Sequence, residues 1–430
     1  MAKINHVLAD YREALVSIGL PSSESVPPKA VIRRFVRIFR EIDDSRLQGM
    51  VDYPLEEILL IAFLAVLGNA STWTEIELFG KTKQRWLKKF IRLKNGIPSH
   101  DTFRRVFALI DPGQLQTATV DFLLANLQEI KKSLSIKEDG YRHICIDGKE
   151  ERSTGRKYQY DNEKVRNLQT LHVYDASNGI CLCSTVIDKK TNEIPVAQEI
   201  LKKMTLKGCI ITFDALHTQK ETIRIIAEQK GDYVGGLKGN QQNLQKEAEE
   251  LFTEKVLKSI KGTKDYYETS EKAHGKVEIR RFYIKKIKRN STLVIDWKNL
   301  RNFICYEKYT CDVVSGEEKT EIRYYITSLK DVETAAQAIR GHWSVENNLH
   351  WHLDASFQED MNATMDKNAF NNLSLMNKMA LSLIKLAQPL MKCSVKAARK
   401  SFGWGLEDSL AMVLSCFDAL TIKKALENTK

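Results

Sequence analysis

The sequence predicts a mixed α/β chain: an all-helical N-terminal region, then a mixed sheet with helices on its faces and a β-rich insertion. Three observations predict it. Up to about residue 135, apolar residues recur at helical spacing. Near residue 141 the texture changes to short apolar runs and turns, in the order β-β-β-α-β-α-β. From about 237 to 330 the helical signal fades and strands with polar turns take over, before strong helices return.

Composition sets the outer bounds. The chain has 430 residues, 43% of them hydrophobic and 28% charged, with 21 glycines and 8 prolines. These proportions exclude wholesale disorder and low-complexity architectures, and the length suits two or three modules. The formal charge of +11 tilts toward an anionic partner, although a basic enzyme without one shows the same tilt. No apolar run follows Lys3, so no secretory leader is expected. The longest apolar run, Ile58 to Leu67, is about half a bilayer span and reads as a buried helix. A cytoplasmic protein with no membrane partner is expected. The eight cysteines include no CxxC pair and read as small hydrophobes in a reducing compartment.

Residues 1–20 suggest a short amphipathic helix, and Pro21 to Pro28 a linker. Glu56 to Leu67 is a helix ended by Gly68, and Thr72 to Phe79 a shorter one. Lys83 to Leu93 is a third, stopped by Asn95-Gly96. Ser99 offers an N-cap for a helix through Ile110, stopped by Asp111-Pro112-Gly113, and Gln114 to Leu134 is one more. In the sheet region, His143 to Asp147 is a short apolar strand. Gln169 to Asp175 and Ile180 to Ile187 form an antiparallel pair around Ala176 to Gly179. Pro195 to Met204 is a helix, Cys209 to Asp214 a buried strand followed by a helix to Lys230, and Asp232 to Gly235 a strand. Leu293 to Trp297, Asn302 to Tyr306 and Ile322 to Ser328 are strands of the insertion. Asp331 caps a long helix, Val332 to Trp351; a second covers Asn371 to Ala387, and the tail from 393 is helical. The domain reading is 1–135 helical, 136–390 sheet-bearing with its insertion at about 237–330, and 391–430 a helical tail.

Two strand ends carry chemistry. Ile146-Asp147-Gly148-Lys149 and Phe213-Asp214-Ala215 each deliver one Asp to the carboxyl end of a buried strand, where sites in open sheets lie. Such an acid is costly to bury without a cation, and Mg²⁺ takes a few carboxylates while keeping several waters. A turn-starting or capping Asp is the competing reading. The long helix supplies a third acid: His342, Glu346, His350 and Asp354 fall at i, i+4 spacing and form one stripe. A zinc reading of that stripe lacks the HExxH spacing.

With Asp147, Asp214 and Glu346 in hand, the chain resembles the DDE-type bacterial insertion-sequence transposases, in the ISAs group that includes the H-repeat-associated proteins. The matching stretches include Asp52-Tyr53-Pro54-Leu55, Gly96-Ile97-Pro98-Ser99-His100-Asp101-Thr102-Phe103-Arg104-Arg105 and Ile146-Asp147-Gly148-Lys149. They continue through Lys190-Thr191-Asn192-Glu193-Ile194-Pro195, Phe213 to Gln219, Leu237 to Gln241, Arg323 to Leu329 and His342 to Asn347. The resemblance implies a ribonuclease-H-like catalytic core with a β insertion before the Glu helix, and Asp147, Asp214 and Glu346 as catalytic, metal-binding triad. It implies two Mg²⁺ (or Mn²⁺) ions, cleavage of the DNA backbone at transposon ends, and attack of the freed 3′-hydroxyl on target DNA. It also implies double-stranded DNA as partner, a nucleoid location when bound, and a homodimer on paired ends. Related transposases carry Tyr-x2-Arg-x3-Glu-x6-Lys around the Glu; here Ile339, His342, Glu346 and Leu353 hold those places, which makes His342 a candidate phosphate contact.

Basic clusters are the expected grip on DNA. Lys81, Lys83, Arg85, Lys88, Lys89, Arg92 and Lys94 fall together without an acid, with Trp86 and Phe90 interleaved, and Arg104 and Arg105 follow. The short helices there resemble a helix-turn-helix-like module. Arg280 to Arg289, including Arg281, Lys285 and Lys286, is the densest cluster and is read as a strand tracking phosphates. Lys149 and Lys238 lie just past strand ends and are candidates for the scissile phosphate. Solvated basic faces are the competing reading throughout. Two other functions compete: a silent or domesticated DNA-binding protein, and a metal-dependent nuclease without strand transfer.

Overall fold

A helix that is apolar on every side has to sit inside something. Leu55–Leu67 (α2) is such a helix: every residue but Glu56 is buried. In the computed structural model, Pro28–Arg40 (α1), Trp73–Thr82 (α3), Gln84–Leu87 (α4), His100–Leu109 (α5) and Pro112–Ser133 (α6) complete the N-terminal helices. The structure describes residues 13, 14, 16, 28–47, 49, 51–136, 140–157, 164–165, 167–187, 192–273, 275–287, 296–404 and 406–428. The expected helix over 1–20 and the linker after it lie largely outside these, as does most of the expected strand Leu293 to Trp297.

Local signals set several helix ends. Thr72 and Glu75 form a reciprocal capping box on α3, and Ser99 caps α5 through Thr102 N. The helix expected over Lys83 to Leu93 stops after one turn. The buried Glu57 carboxylate accepts from the backbone N–H of Arg92 at 3.0 Å, Leu93 takes a positive φ of 48°, and Phe90 folds back edge-on against Trp86.

The strands are Arg142–Glu151 (β1), Arg156–Lys157 (β2), Lys164–Val165 (β3), Leu168–Asp175 (β4), Ile180–Ile187 (β5), Cys209–Phe213 (β6), Asp232–Leu237 (β7), Tyr266–Ala273 (β8), Lys276–Lys286 (β9), Asn302–Asp312 (β10) and Glu318–Thr327 (β11). Except for the small β2–β3 ribbon, they form one sheet in the order β5-β4-β1-β6-β7-β11-β10-β9-β8. β4 is antiparallel to β1 and β5, whereas β1, β6 and β7 run parallel. That five-strand core is ribonuclease-H-like. Glu193–Lys203 (α7) and Lys220–Glu228 (α8) bury Leu201, Ile223 and Ile226 against Ile144, Ile146 and Leu171 on one face. Cys145, on the alternate face of β1, joins the helical core instead.

The β-rich region is continuous with this sheet. β11 pairs antiparallel with β7 (Tyr324 with Leu237, Thr327 with Val234), so the insertion widens the same sheet. It also holds two helices that the sequence reading missed, Gln242–Leu251 (α9) and Glu254–Ile260 (α10), which are mostly polar and bury few side chains. Asp331 caps Val332–Val345 (α11) by accepting from Thr334 N at 2.8 Å. The helix then passes through a π turn, Glu346–His350, into Trp351–Ala355 (α12).

Lys367–Met391 (α13), Val395–Trp404 (α14), Leu406–Cys416 (α15) and Ala419–Asn428 (α16) close the chain. α13 packs on α2, α5, α6 and β5, so the N- and C-terminal helices and one sheet face share a single core. That core crosses the boundaries expected near 135 and 390. Among the described residues, no helix is long and apolar enough to cross a membrane.

Candidate active site

Backbone pairing between β1 and β6 ends at Ile146 opposite Phe213. Asp147 and Asp214 are each the next residue, so both carboxylates stand where the parallel ladder opens. β1 does not stop there, as the sequence reading has it. It continues to Glu151, paired only with β4, from Asp147 opposite His172 to Glu151 opposite Leu168. The crevice is therefore one-sided: closed by β4, open toward β6. Asp214 also starts a turn, its Oδ1 accepting from the N–H groups of Leu216 and His217 at 3.0 and 3.2 Å. The capping reading holds together with the placement in the crevice.

α11 brings the third acid. Gly341 lets the helix ride directly over β1, since a Cβ there would lie 2.6 Å from the His143 ring. His143 Nε2 meets the Thr212 hydroxyl at 2.9 Å, and the same hydroxyl meets His342 Nδ1 at 3.0 Å. This chain locks helix to sheet one turn before Glu346. Glu346 opens the π turn; such turns recur at functional sites because they re-aim the side chains that follow.

Asp147, Asp214 and Glu346 line one cavity of about 690 Å³, with Lys238, Arg323 and Trp343 farther along its wall. The Arg323 guanidinium lies 5.1 Å from the centre of the Trp343 ring. Burial pushes the Asp147 carboxyl up to about 7, and the negative charges of Asp214 and Glu346 push in the same direction. His350 Nδ1 lies 3.7 Å from Asp147 Oδ2 and its Nε2 is 2.9 Å from His172 Nδ1. Burial holds His350 down to about 3, with Lys149 nearby, so the imidazole is neutral and no counter-ion. Three acids that repel one another in a half-buried cavity fit a divalent cation. Among the described residues, no three His, Cys, Asp or Glu side chains already form a metal cage.

Several expected DNA contacts are placed differently. Lys149 is 8% exposed and ion-paired with Glu151, Asp354 and Asp360. Burial opposes its charge, but Glu359 and Glu151 hold its pKa above the usual lysine value, so it neutralises buried acids and no phosphate reaches it. His342 is half-buried at the cavity wall, its pKa held down to about 4 by desolvation, and its Nδ1 is engaged with the Thr212 hydroxyl, so it stands there as a neutral imidazole. Arg280 pairs with Glu271 and Glu278, and Arg281 with Glu268 and Glu307, so these cations are consumed within the sheet. Lys285 is half-buried and Lys286 exposed, while residues 288–289 lie outside the described set. Lys81 pairs with Glu77 and Lys83 is half-buried. Arg85, Lys88, Lys89, Arg92, Arg104 and Arg105 are exposed, as is Lys238 at the cavity. Arg104 lies 3.6 Å from Asp101.

Residues 138–383 match the family model described as Transposase DDE domain, and residues 36–123 match that described as DDE_Tnp_1-associated. The chain belongs to the DDE transposase family. Among its relatives is "Putative transposase YncI" of Escherichia coli O157:H7, 34% identical over 370 residues, 84% of this chain and 89% of that one. "H repeat-associated putative transposase YhhI" of Escherichia coli (strain K12) is 33% identical over 324 residues, 74% and 82% of the two chains. A solved piggyBac transposase synaptic complex with hairpin DNA aligns over 93% of this chain and 82% of that one, at 12% identity and a TM-score of 0.37.

Family membership makes the protein a transposase. Two groups beside the acids were not singled out as site residues from the sequence. Glu193 lies against Gly148, a placement hidden in the Asn192-Glu193-Ile194 motif. His172 sits behind His350 on β4 with no local signal to mark it.

Proposed function

We propose that this transposase cuts DNA at the ends of a mobile element and joins the freed 3′-hydroxyl to target DNA, with Asp147, Asp214 and Glu346 holding the required metal. The observation that carries this reading is the convergence of three acids from separate elements on one cavity, with Asp147 driven toward neutrality by its burial and its neighbours. A divalent ion, Mg²⁺ or Mn²⁺, supplies an activated water and offsets charge on the phosphate oxygens when bound. Asp147, Asp214 and Glu346, which line one cavity, would hold it. His350 steadies the Asp147 carboxylate as a neutral neighbour. Lys238, exposed at the cavity, meets a backbone phosphate. Arg85, Lys88, Lys89 and Arg92, with Arg104 and Arg105 on α5, hold the duplex farther out by charge. Two paired ends call for two copies of the chain.

The test is direct. Asp147→Asn should abolish cleavage of a labelled element end in Mg²⁺ while leaving its binding, measured by gel shift, nearly intact. Full cleavage by that variant would sink the assignment. With a pre-cleaved end and a supercoiled target, joined product from the wild-type chain is expected; cutting without joining would reduce the protein to a nuclease.

A further inference from the structure

Past Ile146 and Phe213 no backbone hydrogen bond links β1 to β6, yet the acids they carry must keep a fixed separation to share a cation. A side-chain contact spans that gap. The Glu193 carboxylate, on the first turn of α7, rests on Gly148, where any Cβ would collide with its Oε2. Asn192 caps that turn by accepting from Ile194 N at 3.0 Å, which fixes where the carboxylate stands. The same Oε2 is 3.4 Å from Nε2 of His217. His217 is 1% exposed, neither of its ring nitrogens has a hydrogen bond among the described residues, and its backbone N–H is held by Asp214 Oδ1. A buried imidazole needs a partner, and the Glu193 carboxylate is the charged acceptor beside it.

We infer that Glu193 and His217 form a strut that sets the spacing of Asp147 and Asp214, and with it the cation affinity of the site. Glu193 bears on the residue after Asp147, and His217 on the turn that Asp214 opens. Gly148 is required because the carboxylate occupies the space of a side chain. Both are positioning residues: Glu193 is not among the residues that line the cavity, and His217 is too buried to meet substrate. This rests on the metal-site reading above.

The experiment is a calorimetric titration of full-length protein with Mn²⁺, without DNA, alongside a thermal melt of each variant. Glu193→Ala should weaken Mn²⁺ binding about 10-fold, the scale on which outer partners of metal ligands act, with only a small change in Tm. Glu193→Gln should bind close to wild-type, because its amide carbonyl still accepts from His217. Wild-type affinity in Glu193→Ala would overturn the strut. A Gln variant as weak as Ala would overturn it too, since the carboxylate would then be a ligand itself. Asp147→Asn is the reference: if it does not weaken Mn²⁺ binding, the metal-site reading fails, and the strut falls with it.

Discussion

Asp147 is a carboxylate that the folded chain holds against its own charge. Its pKa stands at about 7, through burial and then the charges of Asp214 and Glu346, against an ordinary 3.8. A carboxyl raised on folding contributes stability that is complete below the ordinary value and lost as pH rises through the folded one. The metal-free protein should therefore lose stability between about pH 4 and pH 7 on account of this group. At pH 8, Asp147→Asn should melt higher than wild-type, by a margin on the order of 1–4 kcal/mol, and the gap should close toward pH 4. Calorimetric Tm values across that range check it; a variant less stable at pH 8 would make Asp147 a structural acid. The strand that delivers Asp147 was legible as an apolar run. Its charge state was not, because the two repelling acids come from remote parts of the chain. Lys149 shows the same limit: beside a strand end it reads as a phosphate contact, but Glu151, Asp354 and Asp360 already surround it.

Among the elements, those governed by local chemistry were read well. Ser99 and Asp331 cap their helices as the sequence indicates, and His350 and Asp354 of the expected stripe meet Asp147 and Lys149 of β1. Features decided by a remote partner were missed. Glu57 ends α4 early from another helix, and the π turn at Glu346 leaves no mark in the apolar spacing. The β9 cations are the clearest case. Arg281 lies opposite Glu268 on β8 and Glu307 on β10, partners that only the strand register reveals. Such cross-strand pairs stabilise the edge of the sheet. Arg281→Gln should then lower Tm and leave the salt dependence of DNA binding unchanged. Lys88→Gln and Arg92→Gln, on the exposed basic segment after α4, should each reduce the slope of log K against log[salt] by about 0.9 while leaving Tm alone. A reversed pattern, with Arg281 controlling the slope, would restore the strand as a phosphate track.

At the scale of the molecule, the helical ends and the sheet are bound into one body. The sequence suggests three modules because helical and strand-like periodicities change near 135 and 390, and periodicity cannot report which helices later share a core. α13 is the joint: Leu373, Met376, Met379, Leu383 and Ile384 lie in the core that also contains Ile58 to Leu67 and Phe402. Arg399, fully buried on α14, donates to the carbonyl of Val66 at 3.0 and 2.8 Å and to that of Ala70 at 2.9 Å, adding charged donors to the carbonyls at and just past the end of α2. Arg34 on α1 is ion-paired with Asp418 just before α16. A buried guanidinium is costly unless its N–H groups are matched, so the C-terminal helices hold their place only if the N-terminal ones are folded. The same core includes Cys145, Tyr174 and Ile180 from the sheet, which ties the strand bearing Asp147 to helices at both chain ends. Cutting at 135 and 390 would expose both apolar flanks of α13 and strip that sheet face. The full chain should therefore unfold in a single calorimetric transition, with its calorimetric and van't Hoff enthalpies equal. The fragment 136–390 should show no cooperative transition and no Mn²⁺ binding. A fragment that melts cooperatively on its own would make the helical ends an accessory, and would move the source of the site's rigidity back into the sheet.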